Sequence, residues 1–350
     1  MAIAIFGALP VTRTYAAGFI FPLVVQWTVT FEHPPAFRPA YDAAHAFVVL
    51  RNGQLMSVSL DTGKTEWSVE CPTTAPPAAG NSLVFAGGDR YLQALAQADG
   101  AERWKSPVDG SITSIYWNTG WVLATTNKNA LLAFRAADGA LIWQRNLDAA
   151  LESAPAPDGD RLYLAMANGA LLAMTMQTGE PVWTRQLPKP GNGILPVGDR
   201  LYLGSQDDMF YCLSADDGKE IWHRKTGADV VGTPAIDHKH VYFVSLDNVL
   251  RALDRKSGSV IWQKSLPMRP STGPLLTGWT LLVTGNVAEL RGYSSEFGGT
   301  ELGDLVLKSA EGQETQLAAP PYLTPDSTLV LLTNGGQMQG LVGSPAPYGP

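Results

Sequence analysis

The chain is poor in the residues that build disulfide frameworks, metal centres and nucleic-acid surfaces. It has two cysteines, Cys71 and Cys212, and five histidines among 350 residues. Because the cysteines are not adjacent, a vicinal disulfide is excluded. Acidic residues outnumber basic ones, 32 to 25, the formal net charge is −7, and lysine and arginine are scattered along the chain. Direct binding to nucleic acid is therefore not expected.

No apolar run is long enough to span a bilayer, which takes about 20 residues, so the protein is not expected to be membrane-spanning. Residues 1–20 instead resemble a signal peptide. The apolar run Met1–Val11 is followed by Thr12–Ala17, in which Thr14–Ala16 is the best cleavage candidate. The usual basic n-region is missing, so an apolar tail packed on the domain is the alternative. We expect a periplasmic or secreted protein with one folded domain over residues 21–350.

The dominant feature of the sequence is a repeat that ends in Gly-x-x-x-Trp. The chain has 35 glycines and 25 prolines, which is typical of many short strands joined by turns. Successive tryptophans of the repeat lie 37, 39, 40, 39 and 40 residues apart. Two degenerate copies extend the series, one at Trp27 and one at Leu302, which Gly298 precedes. The six full copies are Leu60–Trp67, Gln97–Trp104, Ala136–Trp143, Met176–Trp183, Ala215–Trp222 and Arg255–Trp262.

Each copy has a short hydrophobic strand upstream, then a polar turn and a further short strand. A period near 40 residues with four short strands is typical of a β-propeller. We predict an all-β, eight-bladed β-propeller of four-stranded antiparallel blades that exists as a monomer. The last repeat has inner strands but no outer strand. The N-terminal segment around Trp27 has an outer strand but no inner strands before it. Pairing the N- and C-terminal strands would therefore close the ring.

The glycine and the tryptophan of the repeat are predicted to be structural. The glycine follows Asp, Thr or Ser in a tight turn that needs a positive φ, and the indole can bury a large area between neighbouring blades. A ring of this kind places Cys71 and Cys212 on opposite sides, so both thiols should be free. The predicted docking tryptophans are Trp27, Trp67, Trp104, Trp143, Trp183, Trp222 and Trp262.

The segments Leu60–Trp67 and Ala215–Trp222 resemble the tryptophan-docking motif of PQQ-type propellers. That superfamily includes quinoprotein dehydrogenases and the BamB-like outer-membrane assembly proteins. The resemblance extends from Leu23 to Val342. It is specific for the fold and says less about function, because one fold can serve several functions.

A PQQ-dependent dehydrogenase would need oxygen ligands for calcium beside the quinone and an aspartate as base. The predicted inner strands, such as Ala154–Ala156, Gly232–Ile236 and Thr272–Leu275, offer small residues and prolines that suit a crowded axis. We therefore expect no catalytic residue, cofactor or metal. His238 and His240, and the aspartates Asp207–Asp208, are interpreted as solvated turns. The quinoprotein enzyme and a secreted carbohydrate-binding or adhesive propeller remain the alternatives.

The BamB-like resemblance implies a periplasmic protein-binding scaffold that docks on the outer-membrane barrel insertase. Leu151–Pro155 resembles the Glu-Ser-Ala-Pro stretch of such proteins, but Ala149 and Ala150 stand where they have leucine and arginine. Gly193–Pro196 replaces their acidic loop, and their lipobox cysteine is missing.

The residues predicted to contact a protein partner come from two connections between blades. One is the stretch with the Glu-Ser-Ala-Pro resemblance. The other is about seven residues longer than its counterpart in another blade and polar, so it is expected to protrude. The predicted partner-binding residues are Leu147, Glu152, Lys308 and Glu311.

Overall fold

A computed structural model describes residues 21–286, 289–309 and 311–343, and every regular element in them is a β-strand. The predicted signal-peptide-like segment 1–20 lies outside the described residues. The strands are β1 (Leu23–Thr30), β2 (Ala40–Tyr41), β3 (His45–Val49), β4 (Gln54–Ser59), β5 (Thr65–Glu70), β6 (Ala78–Gly80), β7 (Leu83–Ala96), β8 (Glu102–Asn118), β9 (Trp121–Thr126), β10 (Ala130–Arg135), β11 (Leu141–Asn146), β12 (Ala156–Asp158), β13 (Arg161–Ala165), β14 (Ala170–Thr175), β15 (Pro181–Gln186), β16 (Gly191–Val197), β17 (Arg200–Ser205), β18 (Met209–Ser214), β19 (Glu220–Lys225), β20 (Val230–Ile236), β21 (His240–Ser245), β22 (Val249–Asp254), β23 (Val260–Ser265), β24 (Leu275–Thr277), β25 (Thr280–Thr284), β26 (Glu289–Ser294), β27 (Glu301–Val306), β28 (Tyr322–Leu323), β29 (Leu329–Leu332) and β30 (Gln337–Gly343).

The strands of the described residues form seven antiparallel sheets, six with four strands and one with six. The prediction of eight four-stranded blades is therefore wrong in its count. The reason is β8, which runs without a break from Glu102 to Asn118 and pairs with β7 through its first half and with β9 through its second. Two copies of the repeat, those of Trp104 and Trp143, consequently share one hydrogen-bonded sheet.

Strand β7 also contributes more than one pass to that sheet. The amide of Gln97, just after β7, donates a hydrogen bond to the carbonyl of Ser82, just before it, at 3.0 Å. Fully extended, its 14 residues would span about 46 Å. Strand β7 therefore folds back on itself, and Arg90 in its middle has a φ of 65°.

The ring closes as predicted, through the two ends of the described chain. Strand β1 pairs antiparallel with β30 in the sheet ordered β1-β30-β29-β28, and Trp27 lies opposite Gly340. The outer strand of this sheet thus comes from the N-terminal side of the sequence, while its three inner strands come from the C-terminal side.

The burial pattern explains why each segment takes its place in a sheet. Second strands such as β13 are hydrophobic and buried on both faces, because neighbouring sheets cover them from both sides. Outer strands such as β15 alternate between exposed and partly buried residues, as expected for one solvated face. The hydrophobic clusters of the core lie between adjacent sheets; one joins Leu171 and Ala173 of β14 to Leu201 and Leu203 of β17.

Each docking indole lies against the glycine turn of the next repeat. A Cβ added at Gly179 would be 2.7 Å from the Trp143 ring, and Trp143 Nε1 donates to the carbonyl of Met176 at 2.9 Å. Trp222 departs from this pattern, because its Nε1 is buried without an acceptor. The ring–glycine pairs are Trp27–Gly63, Trp67–Gly100, Trp104–Gly139, Trp143–Gly179, Trp183–Gly218, Trp222–Gly258 and Trp262–Gly299.

In the last of these pairs the predicted register is off by one residue. Gly299, and not Gly298, contacts Trp262. Gly303, and not Leu302, takes the tryptophan position, since Gly303 lies opposite Gly292 in the way that Trp262 lies opposite Ala252. The turn between β26 and β27 is one residue longer than that between β22 and β23, which shifts the copy.

The two faces of the ring carry different kinds of loop. One, which we call the crossover face, carries the connections between successive sheets and the turns between second and third strands. The opposite face carries the glycine turns. Both follow from the antiparallel order of strands within each sheet.

Candidate protein-binding site

A cleft of about 580 Å³ lies at the crossover face, between the inner strands of neighbouring sheets. Its lining includes hydroxyl groups of β8 and β9, amides, one carboxylate and one guanidinium. Thr113 and Thr125 hydrogen-bond to each other in its wall at 2.8 Å. The complete lining is Arg38, Thr113, Ser114, Tyr116, Thr125, Thr126, Asn127, Asn129, Leu147, Ala150, Leu151, Glu152, Ser153, Ala154 and Asn192.

Two of the predicted partner-binding residues, Leu147 and Glu152, line this cleft. The backbone of their connection is fixed, because Glu152 N donates to Ala165 O at 2.8 Å and Leu147 N donates to Asn129 O at 2.8 Å. The side chain of Glu152 is exposed and accepts a hydrogen bond from Gln206 Nε2 at 2.7 Å. Glu152 therefore joins two neighbouring turns of the crossover face and keeps its charge at the surface.

Leu147 has a structural role beside its place in the lining. It stands four residues after Trp143, and the residues four after Trp27 and Trp183 are Phe31 and Leu187, both buried. Leu147 itself is half-buried against the hydrophobic cluster between β10 and β13. The repeat explains this position, so of the two predicted residues in the connection Glu152 is the one that packing does not account for.

The other two predicted residues, Lys308 and Glu311, lie on the same face but not in the cleft. Both are exposed in the connection from β27 to β28. This connection forms a hairpin-like excursion: the backbones of Lys308 and Glu314 make an isolated antiparallel β-bridge, and Ser309 N donates to Gln313 O at 2.7 Å. The structure thus separates the four predicted residues into two places on one face.

The acidic character of the face continues beyond Glu152. Burial raises the pKa of Asp229, and the nearby carboxyl of Asp208, which also hydrogen-bonds to it, raises it further. Asp207, next in the same turn, accepts a hydrogen bond from the Tyr211 hydroxyl at 2.6 Å. The sequence predicts a solvated turn at Asp207–Asp208 and gives no sign of Asp229, because Asp229 comes from another connection.

Beside the cleft, β16, β20 and the segment before β24 approach each other so closely that only glycine fits at the points of contact. A Cβ at Gly193 would lie 2.5 Å from Gly232 O, and a Cβ at Gly232 would lie 2.0 Å from Gly273 N. The expected crowding of Gly232–Ile236 and Thr272–Leu275 is therefore present. Gly193–Pro196, in β16, belongs to this closely packed region.

Other candidate groups have ordinary surroundings. His240 Nδ1 lies 3.2 Å from Asp237 Oδ2, and His238 is exposed in the same turn. Cys71 and Cys212 are both buried and free. Within the described ranges, no three His, Cys, Asp or Glu residues are grouped in a way that could hold a metal ion.

Asp247 fixes another part of the crossover face. Its carboxylate accepts hydrogen bonds from Ser245 Oγ at 2.6 Å and Gly227 N at 2.9 Å, and it pairs with Arg251 at 2.5 Å. Burial favours the neutral acid, but these hydrogen bonds and the Arg251 charge outweigh it and lower the Asp247 pKa from 3.8 to about 2.

This pair predicts a specific acid sensitivity. Because the folded pKa lies below the unfolded one, the stabilisation is complete above about pH 5 and is lost as the pH falls through about 2. A change from 3.8 to about 2 corresponds to about 2 kcal/mol. Between about pH 5 and pH 2, the free energy of unfolding measured by urea titration should fall by about 2 kcal/mol less in Asp247→Asn than in the wild type. Asp160→Asn, at an exposed turn, should keep the wild-type pH slope; an unchanged slope in Asp247→Asn would refute the assignment.

Among the described residues, the structure contains no helix long and apolar enough to cross a membrane.

Comparison with known proteins gives a consistent result. The profile of a family described as outer membrane protein assembly factor BamB matches residues 24–116, 88–197 and 185–331. The chain is 24% identical to that factor from Yersinia pestis over 249 residues, 65% of this chain and 56% of the relative. It is also 24% identical to the one from Burkholderia pseudomallei (strain K96243) over 243 residues, 67% of this chain and 56% of the relative. The chain thus spans little more than half the length of these relatives.

Solved structures show the same fold. BamB from Moraxella catarrhalis superimposes with a TM-score of 0.75 at 18% identity, covering 94% of this chain and 99% of that one. Sqt1 from Saccharomyces cerevisiae gives a TM-score of 0.74 at 7% identity, covering 92% and 99%. At such identities the likeness concerns the fold alone.

Proposed function

Because the chain belongs to the family described as outer membrane protein assembly factor BamB, we propose that it is a non-catalytic, protein-binding propeller scaffold of the bacterial cell envelope. It acts in the periplasm and assists the assembly of outer-membrane β-barrel proteins by binding the barrel insertase. The family relationship supports a role in outer-membrane protein assembly. The cleft and the exposed carboxylates of the crossover face support this face as the place where the partner binds.

The observation that carries this proposal is the link between Glu152 and Gln206. It joins the connection from β11 to β12 with the turn between β17 and β18, at the rim of the cleft. A carboxylate held at the surface by a neighbouring turn is pre-positioned, so little side-chain entropy is lost when a partner binds.

The charge of the crossover face indicates which charge a partner's surface should carry. Glu152, Asp207, Asp208 and Asp229 outnumber the cations beside them, Arg38 in the cleft and Lys189 near Asp229, so this sector has a negative net charge. A partner surface rich in lysine and arginine would complement it, which raises the association rate and makes binding weaker at high salt. Lys308 and Glu311, on the excursion between β27 and β28, would form a second, separate contact on the same face.

The proposal predicts a face-specific loss of binding. Glu152→Arg reverses the charge at the cleft rim and should weaken binding to the periplasmic domains of the insertase by at least about tenfold. Glu152→Gln keeps an acceptor for Gln206 and should weaken binding less. Biolayer interferometry with the purified periplasmic domains measures both, and raising the salt concentration should reduce the difference between wild type and Glu152→Arg.

Asp160→Arg provides the matched control. Asp160 is exposed in the turn between β12 and β13, so it belongs to the same sheet but to the opposite face, and its reversal should leave binding unchanged. Equal losses in Glu152→Arg and Asp160→Arg would refute the face assignment. The scaffold proposal would be refuted if the wild type did not bind the insertase but bound PQQ and calcium saturably and oxidised an alcohol or sugar. The protein would then be a quinoprotein enzyme.

A further inference from the structure

The repeat whose tryptophan position is occupied by Gly303 lacks an indole, yet its groove is filled. The ring of Phe21, the residue two before β1, covers this position. A Cβ built on Gly303 would lie 2.5 Å from the Cβ of Phe21, and a Cβ built on Gly292 would lie 2.2 Å from its Cε2. Gly292 and Gly303 face each other across β26 and β27, so together they form the floor of a groove, which we call the glycine groove.

The corresponding floor in other sheets shows why glycine stands here. Where a tryptophan is present, the residue opposite it is usually alanine, as in the pairs Ala133–Trp143, Ala173–Trp183 and Ala252–Trp262. In these pairs a ring attached to its own strand tolerates that methyl group, whereas the residue opposite Trp27 is a single glycine, Gly340, where a Cβ would be 2.2 Å from the ring. A ring that arrives from another sheet has no room for a methyl group, and the glycine groove has no side chain at either position.

The direction of docking is reversed at this junction. Elsewhere, a ring on the outer strand of one repeat lies on the glycine turn of the next repeat. Here the glycine is on the outer strand of the earlier repeat, and the ring comes from the segment that precedes the outer strand of the later one. That segment stands where a glycine turn would be, because the closing sheet has its chain ends at this place.

We propose that the glycine groove is a receptor site for an aromatic ring and that Phe21 is its occupant. Phe21 replaces the missing tryptophan and fastens β1 to the preceding sheet, in addition to its pairing with β30. Burial supports this role, since Phe21 and Leu23 pack on a cluster that joins Leu282 and Leu290 to Leu329 and Leu341, across the two sheets.

A double-mutant cycle tests the proposal in the full chain. Phe21→Ala should lower the melting temperature by about 5 °C. Gly292→Ala should lower it in the wild type, because the new methyl group collides with the ring, and should have no effect in the Phe21→Ala background. Such non-additivity is expected only for residues in contact. Val25→Ala, on β1 but 46% exposed, should change the melting temperature by about 1 °C or less.

Two further readouts separate ring docking from general destabilisation. Hydrogen exchange in Phe21→Ala should accelerate in β1 and β30 while amides of β13 and β17 keep their protection. Indole at millimolar concentration should raise the melting temperature of Phe21→Ala and not that of the wild type. If Phe21→Ala does not fold, Phe21→Leu replaces it in the same cycle. Additive effects of the two substitutions, or uniform loss of protection, would overturn the proposal.

Discussion

Gly232→Ala should destabilise the protein by about 2–5 kcal/mol. The added Cβ would lie 2.0 Å from the backbone nitrogen of Gly273, and Gly232 has a φ of +67°. An L side chain in that conformation costs about 1–2 kcal/mol, and forcing a methyl group between two backbones costs about 1–3 kcal/mol more. Since the obstacle is backbone, β20 and the segment before β24 would have to separate. Chemical denaturation followed by tryptophan fluorescence measures the loss.

Three other glycines separate the causes of this loss. Gly273→Ala tests the collision without a positive φ, because its Cβ would lie 1.9 Å from Thr233 O. Gly53 has a φ of +86° and nothing within 4 Å, so Gly53→Ala should cost only about 1–2 kcal/mol. Gly335 has no close neighbour and no positive φ, so Gly335→Ala should be neutral or slightly stabilising. A Gly232→Ala variant no less stable than Gly53→Ala would show that the inner strands are not in backbone contact.

Trp143→Ala should cost about 3–5 kcal/mol. The indole is 7% exposed, packs on Gly179 and donates to Met176 O, so its removal leaves a cavity and an unpaired buried carbonyl. The adjacent Ile142 is 41% exposed on the other side of the same strand, and Ile142→Ala should cost less than about 1 kcal/mol. Both values come from urea unfolding at equilibrium. Similar costs for the two variants would contradict the docking role of the indole.

The periodic part of the fold could be predicted from sequence because each repeat carries its own local signals. Gly179 sits in a turn with positive φ and Trp183 follows it at fixed spacing, so turn, outer strand and docking position were all visible. Ring closure could also be predicted, because the segment around Trp27 reads as an outer strand that no inner strands precede. The number of separate sheets was not, because nothing in the composition of Glu102–Asn118 marks that two repeats share one unbroken strand.

The candidate site was harder to predict because its contacts join distant parts of the chain. Glu152 meets Gln206 across 54 residues, and Asp229 meets Asp208 from a different connection. Leu147 lines the cleft as well as packing against the core, and the buried residues four after other tryptophans, such as Leu187 after Trp183, mark this structural role in the sequence. The error at Leu302 had a local cause: one extra residue in a turn moved the copy to Gly303, and Phe21 compensates from a distant part of the sequence.

Closure of the ring through its two ends has a consequence in time. Thr30 of β1 pairs with Gln337 of β30, so about 300 residues must be synthesised after one partner before the other exists. At about 5–20 residues per second, the edge of β1 waits for roughly 15–60 s. During that interval the nascent chain carries an unpaired strand edge and a Trp27 ring that still lacks its contact with Gly340, while the middle sheets can already form. The unfinished protein, more than the finished one, is therefore the species that needs protection from aggregation.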